Sequence, residues 1–284
     1  MATIWIDGEW HTRETARVSV FDHGLLYGDG VFEGIRAYSG KVFKLADHLD
    51  RLYDCAHAVL LEIPMEKAAF RKVIEEAVAR SGLQDAYIRP IVTRGVGDLG
   101  VDPRKCPRAS MIVIVDEIKI WPAERLEQGL SVITAGTPIP HRESLSPRVK
   151  SLNYLSHCMA KLEANVAGAD EALMLDAGGH VAEGTGQNIF VVKGDTVRTP
   201  PLHAGILAGI TRKVVMELAA EAGHQVREEI INRFDIYTAD EAFLTGTASE
   251  IAPIARYDGR KIGCGKAGPK TRDLMQRFRE YVRR

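Results

Sequence analysis

Short apolar runs separated by turn residues open the chain. Ile4-Trp5-Ile6 is followed by Asp7-Gly8, residues 18–21 form a second run, and residues 31–38 lead into Ser39-Gly40 and the run 41–45. Asp-Gly and Ser-Gly between such runs predict hairpins, so the chain begins as a β-meander. The period then changes to that of a helix. Leu49, Leu52, Ala56, Val59 and Leu60 fall at helical spacing within 46–61, and residues 65–81 repeat the pattern up to Gly82, which is placed as a C′ glycine. Residues 87–93 and 111–115 return to strand character.

Around Trp121-Pro122 the patterning is interrupted, and β-type segments resume near Gly129. A hinge at roughly 118–126 is expected there. It divides the chain into a smaller N-terminal α+β domain (1–120), an interdomain linker (121–128) and a larger C-terminal domain (129–284). In the larger domain a strand at 130–135 precedes a helix at 152–166, whose Leu152, Leu155, Met159, Leu162 and Val166 recur at spacings of three and four and share one face. Strands at 171–175, 188–192 and 241–244 and helices at 211–222 and 269–282 follow. No repeat of roughly 20 to 50 residues is present, which argues against a solenoid.

Composition narrows the function classes. A chain of 284 residues can bury one large or two medium cores, and 45 % hydrophobic with 26 % charged residues of mixed sign excludes disordered and fibrous classes. A formal net charge of -1 without a long basic run speaks against a nucleic-acid partner and leaves a small molecule. Cys55, Cys106, Cys158 and Cys264 lie far apart with no C-x-x-C spacing, so neither a metal site nor a disulfide framework is expected. The opening residues lack a basic region followed by an apolar one, and no apolar run is long enough to span a bilayer, so a cytoplasmic enzyme is expected.

Four segments could carry chemistry. Lys150 precedes Ser151, a plausible N-cap for the 152–166 helix, where a cation is electrostatically misplaced and its pKa would fall. An unprotonated amine is what Schiff-base chemistry requires, although position alone also fits a solvated surface lysine. Tyr154, four residues on, would share a helix face with it. Gly209-Ile210-Thr211-Arg212 is a glycine turn opening a helix whose free N–H groups suit phosphate; many such turns bind nothing. Leu244-Thr245-Gly246-Thr247-Ala248-Ser249-Glu250 is a strand running into a small, hydroxyl-rich turn that makes an anion nest or an ordinary turn. Glu183 stands in a glycine-rich loop, where a buried carboxylate could keep a pyridine nitrogen protonated and a solvated one would do nothing.

Taken in order, the blocks Tyr27 to Arg36, His48-Leu-Asp-Arg51-Leu, Tyr87-Ile-Arg89-Pro, Lys150 to Leu155, Glu183 to Phe190, Gly209-Ile-Thr-Arg and Gly246-Thr-Ala-Ser-Glu-Ile resemble the class IV aminotransferases. These are fold type IV enzymes dependent on pyridoxal 5'-phosphate, and the closest resemblance is to the branched-chain amino acid aminotransferases. The resemblance implies a two-domain α+β fold like that of the D-amino acid aminotransferases, with a barrel-like sheet in the C-terminal domain and the cofactor between the domains. It implies that Lys150 carries the cofactor as a Schiff base and shuttles the proton, that Glu183 bonds the pyridine N–H, and that Tyr154 bonds the ring hydroxyl. It implies phosphate contacts from Arg51, Ile210, Thr211 and Thr247, with Gly209 and Gly246 allowing close approach. Arg51 would otherwise read as an exposed helix arginine in a surface salt bridge.

For substrates the resemblance implies apolar walls at Tyr27, Phe32 and Tyr87, with Gly34 beside them. Arg89 is the expected cation for the γ-carboxylate of glutamate, and Tyr87, Thr247 and Ala248 would hold the α-carboxylate. Phe32-Glu-Gly-Ile-Arg and Tyr87-Ile-Arg favour L-branched-chain substrates, in a ping-pong exchange with 2-oxoglutarate. A D-amino acid transaminase or an aminodeoxychorismate lyase would share the cofactor residues, and a non-catalytic cofactor-binding protein is the alternative from another class. A homodimer is implied, because Tyr27 and its neighbours can reach a partner's pocket in such enzymes. One departure concerns residues 121–143, which contain no tyrosine where the family often has one in the interdomain loop.

Overall fold

The structure is a computed structural model that describes residues 2–118 and 121–284. These fall into two compact units, one of residues 2–118 with Val149–Asn153, the other of residues 121–148 with 154–284. Lys119 and Ile120, part of the expected hinge, lie outside the described residues.

The first unit holds a seven-stranded antiparallel sheet of β1 (Thr3–Ile6), β2 (Glu9–His11), β3 (Gly30–Phe32), β4 (Ile35–Tyr38), β5 (Lys41–Val42), β6 (Ala86–Thr93) and β7 (Ser110–Asp116). Its order is β2-β1-β7-β6-β4-β5, and β3 also pairs with β6. Asp7 and Gly8, at φ 48° and 107°, close the first hairpin as expected. Helices α1 (His23–Tyr27), α2 (Leu45–Ala58) and α3 (Lys67–Ser81) complete the unit. Leu49, Leu52 and Ala56 of α2 and Phe70, Ile74 and Ala77 of α3 bury against the sheet, and Gly82 ends α3 in the left-handed region. Along β6 the residues Ala86, Ile88, Pro90 and Val92 turn inward, so Tyr87 and Arg89 share the other face.

Two sequence expectations fail in this unit. Residues 18–21 form turns and loops, with Val18, Val20 and Phe21 all exposed; a run without period-two burial has no face to offer a sheet, and Asp22 instead caps α1 at Gly24. The run 31–38 breaks into β3 and β4 at Glu33-Gly34, where the carboxylate turns into the interior.

The second unit contains α4 (Ala123–Gln128), β8 (Leu130–Thr134), α5 (Leu155–Val166), β9 (Glu171–Leu175), β10 (Val181–Gly184), β11 (Asn188–Lys193) and β12 (Thr196–Thr199). It continues through α6 (Ile210–Glu221), β13 (Gln225–Glu228), α7 (Arg233–Tyr237), β14 (Glu241–Gly246), β15 (Glu250–Tyr257), β16 (Arg260–Lys261) and α8 (Pro269–Tyr281). The strands make one curled, mixed sheet in the order β10-β9-β8-β15-β14-β11-β12-β13, with β16 on β15. This is the α+β, barrel-like sheet that the resemblance implies. Trp121 and Leu126 pack against this unit's core, so the expected linker 121–128 belongs to it, much of it as α4.

Residues Val149–Asn153, expected in the larger domain, pack with the first unit. Phe32 N–H donates to Lys150 O (3.0 Å), Leu152 N–H donates to Gly30 O (2.9 Å), and Ser151 bridges Val31. Held by these bonds, the segment cannot coil, and the helix begins at Leu155 instead of Leu152. Lys150 is therefore not at a helix start, and it has no i, i+4 helical relation to Tyr154. The apolar stripe of this helix faces outward: Leu155, Met159, Leu162 and Val166 are 75 %, 46 %, 52 % and 83 % exposed. The packed face is the small one, with Ala160 and Ala164 against Ala172, Met174 and Ala182. Among the described residues no helix is long and apolar enough to cross a membrane.

Candidate active site

In the first unit five of the expected residues meet around one aromatic ring. Phe32 carries the Lys150 Nζ at 4.6 Å and the Arg89 guanidinium at 4.7 Å from its ring centroid. Arg89 also lies 5.3 Å from the Tyr87 ring, and its Nη2 donates to Tyr87 Oη at 2.7 Å. Its Nε is buried with no hydrogen-bond partner among the described residues. A cation among aromatic faces is attracted by the ring quadrupoles, so among the described residues this arginine is held by rings and a hydroxyl and not by a carboxylate. Gly34 completes the group because a Cβ there would lie 2.2 Å from Tyr87 Oη.

The backbone of Lys150 is fixed at both polar groups, since its carbonyl accepts from Phe32 and its N–H donates to Cys55 Sγ at 3.2 Å. Burial pushes the Cys55 thiol up from its ordinary pKa. Just past β3, the fully buried Glu33 takes a two-bond fork from Arg51, Nε to Oε1 at 2.6 Å and Nη2 to Oε2 at 2.8 Å, and a third bond from His48 Nδ1 at 2.8 Å. Burial opposes ionisation of Glu33, but the Arg51 charge and then His48 more than offset it and hold the carboxyl far below the usual carboxylate range. Burial in turn lowers the His48 pKa, with Glu33 only partly compensating. Arg51 is thus no surface arginine but one side of a buried pair. Sequence reasoning missed Glu33 and His48; the signal was there, because His48 and Arg51 stand one helical turn apart on α2 and Glu33 is an acidic residue within the apolar run 31–38. Tyr27 makes other contacts, edge-on to His23 and hydrogen-bonded to Leu99 O.

The second unit carries the other expected residues. Glu183 on β10 is buried, and its Oε2 accepts from Asn188 Nδ2 and from Leu207 N–H, both at 3.0 Å. Asn188 Nδ2 also donates to Leu207 O at 3.0 Å, which ties the loop before α6 to the carboxylate. Gly209 caps α6 with ordinary φ, and its requirement is space: a Cβ there would fall 2.0 Å from Asn188 Oδ1. Helix α6 starts at buried Ile210 and Thr211 with no capping side chain and no acidic residue in its first turn, so its positive end is left for an anion. Tyr154 precedes α5 and stacks on His157 at 4.5 Å. Gly246 ends β14, and Thr247, Ala248 and Ser249 make the expected turn into β15, closing on Glu250 in the left-handed region. No cluster of three His, Cys, Asp or Glu that could hold a metal ion occurs among the described residues.

Within the second unit, a buried carboxylate that accepts from an amide and an N–H lies near a helix start with no acidic residue in its first turn, an arrangement suited to a protonated ring nitrogen and an anion. The family model for amino-transferase class IV matches residues 30–257, and the chain belongs to that family. It is 50 % identical to a putative branched-chain-amino-acid aminotransferase of Methanocaldococcus jannaschii over 98 % of this chain and 95 % of that one. It is 41 % identical to the branched-chain-amino-acid aminotransferase of Pseudomonas aeruginosa over 98 % of this chain and 92 % of that one. Among solved structures, the T.th. branched-chain amino acid aminotransferase with pyridoxamine 5'-phosphate superposes with TM-score 0.94 at 37 % identity, covering 99 % of this chain and 93 % of that one.

Proposed function

We propose that this chain transfers amino groups between L-leucine, L-isoleucine or L-valine and 2-oxoglutarate, with pyridoxal 5'-phosphate as cofactor. The observation that carries the substrate reading is Arg89, a cation kept on the rings of Phe32 and Tyr87 and on the Tyr87 hydroxyl. So partnered, it leaves the pocket wall effectively apolar for a branched aliphatic chain, yet it remains a charge-assisted donor for the γ-carboxylate of glutamate. Tyr27, Phe32, Gly34, Tyr87, Thr247 and Ala248 are the other substrate contacts in this reading.

When bound, the cofactor supplies an aldehyde that takes up the substrate amine and a protonated ring that draws electrons from Cα. Lys150 binds it and, through its amine, takes the proton from the substrate Cα. Glu183 holds the proton on the ring nitrogen, and Asn188 with Leu207 N–H keeps the carboxylate in place for this. Tyr154 bonds the ring hydroxyl. Arg51, oriented by Glu33 and His48, joins Thr247 and the N–H groups of Ile210 and Thr211 in holding the phosphate, while Gly209 and Gly246 let the backbone approach. The first unit serves as the smaller domain and the second as the larger, cofactor-binding one. A homodimer is part of the proposal; sedimentation of the purified chain as a monomer would remove that part alone.

Steady-state rates test the reaction. Varied L-leucine at several fixed 2-oxoglutarate concentrations should give parallel double-reciprocal lines, and D-alanine should not replace L-leucine. Activity with D-alanine and none with L-leucine would overturn the substrate reading.

A further inference from the structure

Buried hydroxyls in this chain are generally satisfied. Thr93 Oγ1 donates to Asp22, Thr199 Oγ1 to Ile189 O at 2.8 Å and Thr271 Oγ1 to Glu241 at 2.6 Å, all at full or nearly full burial. Two hydroxyls depart from this pattern. Thr245 Oγ1 and Ser249 Oγ, on residues 1 % and 6 % exposed, have no hydrogen-bond partner among the described residues. Both stand at the β14–β15 connection, Thr245 near the end of β14 and Ser249 in the turn, at either side of Gly246-Thr247-Ala248. Leaving a polar group buried and unbonded is costly, so two at one connection call for a partner that arrives later.

Register places the first of them. Across β11 and β14, Ile189 stands opposite Leu244 and Asn188 opposite Thr245. Opposed residues project from the same sheet face, and neighbours along a strand alternate. Ile189 and Leu244 enter the apolar cluster beneath the sheet, so Asn188 and Thr245 project from the other face. On that face the Asn188 amide holds Glu183. Ser249 folds back over the turn, its Oγ 2.8 Å from where a Cβ on Gly246 would stand. The two unbonded hydroxyls thus flank Gly246, on the strand whose neighbour presents the amide that holds the carboxylate assigned to the ring nitrogen.

We propose that Thr245 and Ser249 are further cofactor contacts, whose hydroxyls hydrogen-bond the polar edge of the bound phosphorylated pyridine and are satisfied only when it is present. This rests on the cofactor reading above and adds two residues to it. A hydroxyl both donates and accepts, so it can serve either a ring oxygen or a phosphate oxygen.

The test compares cofactor-free and loaded protein for Thr245→Val, Ser249→Ala and Thr245→Ser. Each lost hydroxyl should raise the pyridoxal 5'-phosphate dissociation constant about three- to tenfold, the worth of one hydrogen bond. The cofactor-free melting temperature of Thr245→Val and Ser249→Ala should hold or rise, while that of the loaded protein falls relative to wild type. Thr245→Ser should keep near wild-type affinity. Equal shifts in both forms with an unchanged dissociation constant would overturn the proposal while leaving the cofactor reading intact. So would an effect confined to the affinity of loaded protein for a carboxylate such as 4-methylvalerate. Wild-type protein that takes up no cofactor would remove both.

Discussion

Replacing Arg89 by Met separates the two kinds of substrate. Met keeps length and apolar bulk on the Tyr87 face of β6 but removes the charge that lies 4.7 Å from the Phe32 centroid and 2.7 Å, through Nη2, from Tyr87 Oη. The folded protein loses two ring contacts of about 0.5–1 kcal/mol each and one hydrogen bond, and it is relieved of a buried Nε that has no partner among the described residues. These nearly cancel, and stability should change by no more than about 1 kcal/mol. Glutamate loses a hydrogen bond from a charged donor to its γ-carboxylate, about 1.5–3 kcal/mol, or roughly 10- to 150-fold in kcat/KM. Leucine, whose side chain has nothing to pair with Arg89, should stay within about threefold of wild type. Single-turnover reaction of loaded protein with each amino acid, run separately, reads both values free of the second substrate. An equal loss for leucine and glutamate, or no loss for glutamate, would refute the assignment of Arg89.

Gly209→Ala should weaken pyridoxal 5'-phosphate binding at least about tenfold in an absorbance titration, because the new Cβ displaces the Asn188 amide that holds Glu183. Acid stability should show a His48 component. Its folded pKa is lowered, so the unfolded chain takes up the proton first, below about pH 6.5, and stability falls as pH drops from 7 to 5. Glu33, also lowered, extends the loss to more acid pH; His48→Gln should flatten the fall in urea midpoint between pH 7 and 5, and an unchanged slope would contradict the buried, neutral histidine. Leu60 sits just past α2 at φ 51° and is 84 % exposed, so Leu60→Gly should raise stability by about 0.5–1 kcal/mol and the melting temperature by about 2 °C. A lower melting temperature would show that Leu60 makes contacts worth more than its strain.

Periodicity served well where burial followed the pattern. Residues 171–175 lie where it put them because that strand is apolar and buried on both faces, and the helices ending near Ser81 and Glu221 because each lays one apolar face on a sheet. It failed where contacts remote in sequence decide. The stripe Leu155, Met159, Leu162 and Val166 has ideal helical spacing but faces outward, because Ala160 and Ala164 allow a closer approach to the sheet than leucine would. Lys150 reads by pattern as the start of a helix, whereas strand-like bonds to Phe32 and Gly30, well over a hundred residues away, keep its segment extended. The resemblance supplied Glu183 and Arg89, and Tyr87 shares a strand face with Arg89, but the contacts of Glu183 with Leu207 and of Arg89 with Phe32 join segments well apart in sequence and emerge only in the fold. The sequence marks Thr245 and Ser249 only as members of a hydroxyl-rich turn; that their hydroxyls are unbonded depends on what does not surround them in the fold.

The central claim is that Lys150 and its neighbours run one half of an amino transfer on an L-branched-chain amino acid. An absorbance scan of loaded protein before and after addition of L-leucine alone tests it most directly. The spectrum should pass from the protein-bound pyridoxal form to that of pyridoxamine 5'-phosphate, revert on adding 2-oxoglutarate, and stay unchanged in Lys150→Ala. No spectral change in the wild type, or the same change in Lys150→Ala at a comparable rate, would contradict the account.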